Sequence, residues 1–115
     1  MNYLGLDYGA SKVGVAIATG SLAEPLTTLS TKTAIQSIKE IVVKNNIEKI
    51  IIGDCPGEFL SELQSLKMSV IVTDESLSSY DARIKLLHTT QKRRKNLEHQ
   101  VSATIILQNW LDNSV

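Results

Sequence analysis

Leu4-Gly5-Leu6-Asp7-Tyr8-Gly9-Ala10-Ser11-Lys12-Val13-Gly14-Val15-Ala16-Ile17-Ala18 is the stretch on which the fold turns. Two short apolar runs, Tyr3 to Asp7 and Lys12 to Ala18, are split by the small-residue turn Tyr8-Gly9-Ala10-Ser11, the pattern of adjacent strands joined in a hairpin. Asp7 interrupts the first run at its carboxyl end, just before Gly9, whose missing Cβ lets a phosphate or a metal approach.

Beyond the hairpin, Leu22 to Leu29 is weakly strand-like, and Pro25, which cannot donate to a ladder, assigns it to an edge. From Thr33 the period changes: Ile35, Ile38, Ile41 and Val42 recur at helical spacing until Asn45-Asn46. Lys49-Ile50-Ile51-Ile52, ending at Gly53, reads as a strand buried on both faces. Pro56-Gly57 opens a second helix over Glu58 to Leu66, and Val70-Ile71-Val72 reads as a further buried strand ending at Thr73-Asp74-Glu75. Ser78 to Leu87 reads as a helix, the polar, basic segment Thr89 to Lys95 as an intervening loop, and Asn96 to Leu111 as a long closing helix. Right-handed crossovers set the first strand beside the fourth. The expectation is an α/β fold with a five-stranded mixed sheet in the order 3-2-1-4-5 and helices on both faces. In open sheets of this kind chemistry gathers beyond the strand carboxyl ends where the order reverses, which is where Asp7 stands.

The chain has 115 residues, 43% of them apolar and 21% charged, the profile of one globular domain. A single cysteine, Cys55, excludes an internal disulfide and favours a reducing, cytoplasmic compartment. No stretch approaches the ~18 apolar residues of a membrane span, so no membrane association is expected. Twelve Lys+Arg balance twelve Asp+Glu, but unevenly. Residues 83–95 hold half of the basic residues and no acid, whereas residues 53–81 hold six acids and only Lys67.

Asp7, Asp54 and Asp74-Glu75 each follow a strand expected to lie parallel in the centre of the sheet. Carboxylates packed together repel and desolvate one another, so such a cluster persists mainly when a hard divalent cation neutralises it. Two ions can generate a hydroxide nucleophile and stabilise the leaving oxygen of a phosphodiester. Asp54 and Asp74 equally suit the capping of turns and following helices.

Six segments in order across nearly the whole chain resemble the YqgF family. They are Leu4 to Gly9, Val13-Gly14-Val15-Ala16, Ile51-Ile52-Gly53, Asp74-Glu75-Ser76-Leu77-Ser78, Lys92-Arg93-Arg94-Lys95, and Ser102-Ala103 with Ile105-Ile106-Leu107-Gln108. Members of that family are Holliday-junction-resolvase-like proteins of the ribonuclease H fold, assigned as nucleases that mature the precursor of small-subunit ribosomal RNA. The resemblance implies a single ribonuclease H-like nuclease domain over residues 1–115. It further implies a metal-dependent endonuclease that processes the 5′ end of pre-16S rRNA in ribosome biogenesis. Alternatives are a Holliday junction resolvase acting on DNA, or a nucleic-acid-binding module of the same fold that has lost catalysis. The implied partners are structured RNA or branched DNA, with the protein a monomer or a weak homodimer.

Carried over position by position, the resemblance implies that Asp7 and Glu75 are metal-binding catalytic carboxylates, with Gly9 and Lys12 in the flanking loop. At the third position the chain departs: the family's Asp, three residues before the small pair Ser102-Ala103, falls on His99. On the closing helix His99 shares a face with Ser102, Ala103 and Ile106, which aims it at Asp7. Imidazole binds magnesium poorly, so His99 as a ligand favours manganese over magnesium. Alternatively His99 is a general base, or Glu98 supplies the missing charge. Asp54, in the short acidic loop Gly53-Asp54-Cys55-Pro56-Gly57, is a further candidate metal ligand that compensates for the lost Asp. Lys92, Arg93, Arg94 and Lys95 flank the acidic edge and are expected, with Lys12, to grip phosphates. Aromatic residues make up 4% of the chain, too few for a base-stacking platform.

Overall fold

The computed structural model describes residues 2–73 and 91–113, with residues 91–97 described by their backbone. Strands β1 (Asn2–Tyr8) and β2 (Lys12–Ala18) form the antiparallel hairpin, with Asp7 opposite Gly14 and Tyr8 opposite Val13. Strand β3 (Ala23–Ser30) pairs with β2 as an edge, and the register shifts between Val15 and Ala16, where Pro25 lies opposite Ala16. The missing N–H of Pro25 falls at this irregularity, which is where an edge strand tolerates it.

A short 3-10 turn (Thr31–Thr33) leads into α1 (Ala34–Lys44). Asn45 donates its backbone N–H to the Ile41 carbonyl, and Asn46 then takes a φ of 52°, the left-handed conformation that Asn tolerates and that turns the chain into the sheet. Strand β4 (Ile47–Ile52) runs parallel to β1, and α2 (Gly57–Gln64) leads to β5 (Ser69–Val72), parallel to β4. The final helix α3 spans Gln91–Asn113. The sheet order is β3-β2-β1-β4-β5, as the pattern predicts.

Strand alternation sorts the side chains into two cores. Leu4, Leu6, Val13, Val15, Ile50 and Ile52 meet Ala34 and Ile38 of α1 and Phe59 and Leu63 of α2 on one face. Ala16, Ala18 and Ile51 meet Ala103, Ile106 and Leu107 of α3 on the other. The consecutive run Ile50-Ile51-Ile52 is fully buried because β4 is covered on both sides.

The α3 face of the hairpin is stripped of bulk. A Cβ on Gly5 would stand 2.7 Å from Leu107 Cβ and 2.8 Å from the Ala103 carbonyl oxygen, and one on Gly14 would collide with the backbone of His99. The helix therefore rests almost on the strand backbones. Gln108 ties it down further, accepting the Ala23 N–H at 2.8 Å and donating to the Ser21 carbonyl at 3.0 Å. Among the described residues no helix is long and apolar enough to cross a membrane.

Two expectations are corrected. Strand β5 stands at the edge that the predicted order gives it, but it is half-exposed rather than buried, with Val72 48% exposed. A short apolar run does not by itself state how fully a strand is covered. The basic run Lys92 to Lys95 is not a loop, because α3 as described runs from Gln91 through those residues. Gln, Lys and Arg are good helix formers, and no Gly or Pro interrupts them. The helix expected over Ser78 to Leu87 lies outside the described residues.

The close seating of α3 yields a test. Gly14→Ala is expected to destabilise the fold by about 3 kcal/mol, since the clash is with backbone that cannot rotate away. Gly20→Ala, which meets nothing within 4 Å, is expected to stay within about 0.5 kcal/mol of the parent in urea unfolding.

Candidate active site

Asp7 owes its position to the register of three parallel strands. Beyond the paired strand residues, the Gly53 N–H donates to the Leu6 carbonyl at 3.4 Å and the Thr73 N–H to the Ile52 carbonyl at 2.8 Å. Asp7, Gly53 and Thr73 are thus level at the carboxyl edge. Leu6 faces α1 and α2, so by strand alternation Asp7 faces α3. The following turn is pinned from β3's side: Thr31 donates its hydroxyl to the Gly9 carbonyl at 2.8 Å and its N–H to the Ser11 carbonyl at 3.0 Å.

Asp7 is 6% exposed, and a carboxylate so buried is costly unless it is hydrogen-bonded. Its partner is His99, whose Nδ1 lies 2.7 Å from Asp7 Oδ2. The helix carries His99 across Gly14, and the imidazole lies over Gly9: a Cβ there would stand 2.8 Å from His99 Cε1 and 3.2 Å from Nε2. Gly14 therefore gives clearance to the helix backbone at His99, and Gly9 to its ring. Among the described residues Asp7 Oδ1 accepts no hydrogen bond, and Nε2 is the ring nitrogen left open.

The hydrogen bond to Asp7 raises the His99 pKa above its ordinary 6.5. Burial of the ring opposes the rise, the charges of Asp7 and Glu98 add to it, and the charge of Lys12 works against it. Lys12 is thereby within electrostatic reach of the pair, exposed at the start of β2.

Asp54 is exposed, in the bend after Gly53. Among the described residues no three of His, Cys, Asp and Glu come together as a cation site. Glu75 lies outside the described residues. Lys92 to Lys95 precede His99 on α3 by four to seven residues. Residue patterns did not single out Thr28 and Gln100, joined by a 2.9 Å hydrogen bond from Gln100 Nε2 to Thr28 Oγ1. The available signal was register: Thr28 pairs with Gly14, directly beside the helix.

Relatives share this sequence over its length. A protein of Caldanaerobacter subterraneus named "Putative pre-16S rRNA nuclease" is 32% identical over 138 aligned positions, covering 98% of this chain and 97% of its own. One of the same name from Halothermothrix orenii is 33% identical, covering 97% and 95%. Among solved structures, the Fowlpox virus resolvase in complex with Holliday junction DNA superposes with a TM-score of 0.68 at 11% identity, covering 100% of this chain and 99% of that one. RuvC of Thermus thermophilus gives 0.61 at 10% identity, covering 99% and 97%. At those identities the likeness is one of fold. The family match covers residues 1–57 and 54–113, meeting at the short connection from β4 to α2, and the chain therefore belongs to the family described as RuvX, Holliday junction resolvase.

Proposed function

We propose that this chain is a metal-dependent endonuclease of the cytoplasm that hydrolyses phosphodiester bonds in structured RNA, with pre-16S rRNA as its substrate. The observation that carries the reading is the buried Asp7 at the carboxyl end of β1, held by His99 and retaining an oxygen without a hydrogen bond among the described residues. The names of the full-length relatives supply the substrate. A DNA four-way junction is the second reading, favoured by the description of the family.

A buried carboxylate facing a neutral imidazole carries charge that a divalent cation would neutralise, which supports this reading. Asp7, through Oδ1, and Glu75 would hold it, and oxygen donors suit magnesium or manganese. When bound, the ion supplies charge neutralisation and Lewis acidity to phosphodiester hydrolysis. In the neutral tautomer His99 Nδ1–H donates to Asp7 Oδ2 and turns the Nε2 lone pair outward. From there Nε2 takes the proton of the attacking water, and Asp7 stabilises the imidazolium that results. As a ligand instead, Nε2 would tilt the ion preference toward manganese. Lys12, with Lys92 to Lys95, would hold phosphates.

Asp7→Asn is expected to slow cleavage of a pre-16S rRNA fragment by about two orders of magnitude or more, in magnesium and in manganese alike. A four-way DNA junction run alongside separates the readings. Faster cleavage of the junction selects DNA, while cleavage of neither, with salt-sensitive binding of structured RNA, leaves a binding module.

The His99 ring is expected to titrate above 6.5 by NMR in the wild type and to fall back in Asp7→Asn. Because the folded value is raised, the pair's contribution to stability is complete below the unfolded value and is lost as pH climbs through the folded one. Wild type should therefore exceed Asp7→Asn in urea midpoint by more at about pH 6 than at about pH 9. Cleavage should instead rise with pH through the same titration, since the base must be neutral.

A further inference from the structure

Beside the Asp7–His99 pair, α3 and the β2–β3 ladder enclose an open groove of about 450 Å³ whose lining includes Ser11, Lys12, Thr27, Thr28, Ser30 and Gln100. Its polar floor follows from register. Lys12 pairs with Ser30 and Gly14 with Thr28, and Gly14 lies beneath α3, so Lys12, Thr28 and Ser30 share the helix-side face. Gln100, the residue after His99, closes the groove from above by donating to Thr28 at 2.9 Å. One cation, several hydroxyls, an amide and the apolar Leu29 line it, with no carboxylate and no aromatic ring among the described residues. That chemistry suits a sugar–phosphate backbone rather than stacked bases.

We propose that this groove seats the ribose–phosphate backbone of the RNA strand being cut, with Thr28 and Gln100 reading a 2′-hydroxyl and Lys12 holding the adjoining phosphate. The proposal rests on the nuclease reading and adds to it how ribose is told from deoxyribose. Thr28 Oγ1 accepts from Gln100 Nε2, which leaves the Thr28 hydroxyl hydrogen to donate and Gln100 Oε1 to accept, with no other partner among the described residues. A 2′-hydroxyl is both donor and acceptor, so it satisfies both at once. Exchanging the amide oxygen and nitrogen preserves the complement, because the amide then donates outward and the Thr28 oxygen accepts. Both residues are half-buried, so a deoxyribose in the same place leaves two polar groups shielded and unpaired.

The test is binding, in EDTA, of a fluorescein-labelled RNA hairpin with single-stranded flanks, against the same hairpin carrying 2′-deoxyriboses throughout the flanks. Wild type is expected to favour the all-ribose probe by about tenfold. Thr28→Val and Gln100→Leu should each abolish most of that preference, Thr28→Ser should keep it, and Lys12→Ala should weaken both probes alike. Equal affinity of the wild type for the two probes, or a preference that survives both Thr28→Val and Gln100→Leu, overturns the proposal, and the wild-type comparison needs no variant to fold. Cleavage is scored separately in magnesium and manganese. Ribose preference without cleavage of any substrate removes the nuclease reading and leaves the groove, whereas cleavage without preference removes the groove alone. Failure to bind either probe in EDTA overturns the groove, and the nuclease reading is then decided by the cleavage assay alone.

Discussion

The rest of the molecule depends on how closely α3 sits on the hairpin. A helix usually rests on a layer of side chains, and here two glycines and a line of alanines replace that layer. The consequence is energetic and positional together. Close contact buries Leu107, Ala103 and Ile106 against β1 and β2, and it lowers His99 far enough for its ring to reach a carboxylate on the strand below. A methyl group at Gly14 would lift the very residue whose imidazole pairs with Asp7. Packing and chemistry share one constraint.

A buried carboxylate is the second constraint, and it explains why a histidine is an adequate tenant of that helix position. Desolvation disfavours the charge on Asp7, and a hydrogen bond from Nδ1 compensates without requiring a second full charge. The same bond selects which ring nitrogen is open and raises the ring's basicity. Where an aspartate would bring another negative charge to the edge, His99 brings an imidazole oriented by Asp7. The neighbouring groove extends this polar edge outward, since Lys12 and Gln100 each adjoin both the pair and the β3 floor.

Much of the fold was legible because strand and helix periods differ. The alternation around Asp7, the single proline in β3 and the triple isoleucine of β4 each have one comfortable place in a sheet, and together they yield its order. Where the pattern was silent, the reading went astray. Four adjacent cations look like a solvated loop, yet their intrinsic preference is helical and α3 extends through them. Val70-Ile71-Val72 is as apolar as β4, but apolarity does not state how fully a strand is covered, and β5, at the edge its predicted order gives it, is half-exposed.

By itself the amino-acid sequence determined the strand and helix periods, the small residues that admit α3, and the placement of Asp7 at a strand end and of His99 on the facing side of a helix, because these are local regularities. Tertiary structure decided that His99 hydrogen-bonds Asp7, that Asp54 is exposed in the bend after Gly53, and that Thr28 meets Gln100 across 72 positions of chain. Those contacts depend on the height of a helix above a sheet and on the register between strands. Both are set by the summed packing of distant segments, so no single stretch of residues encodes them.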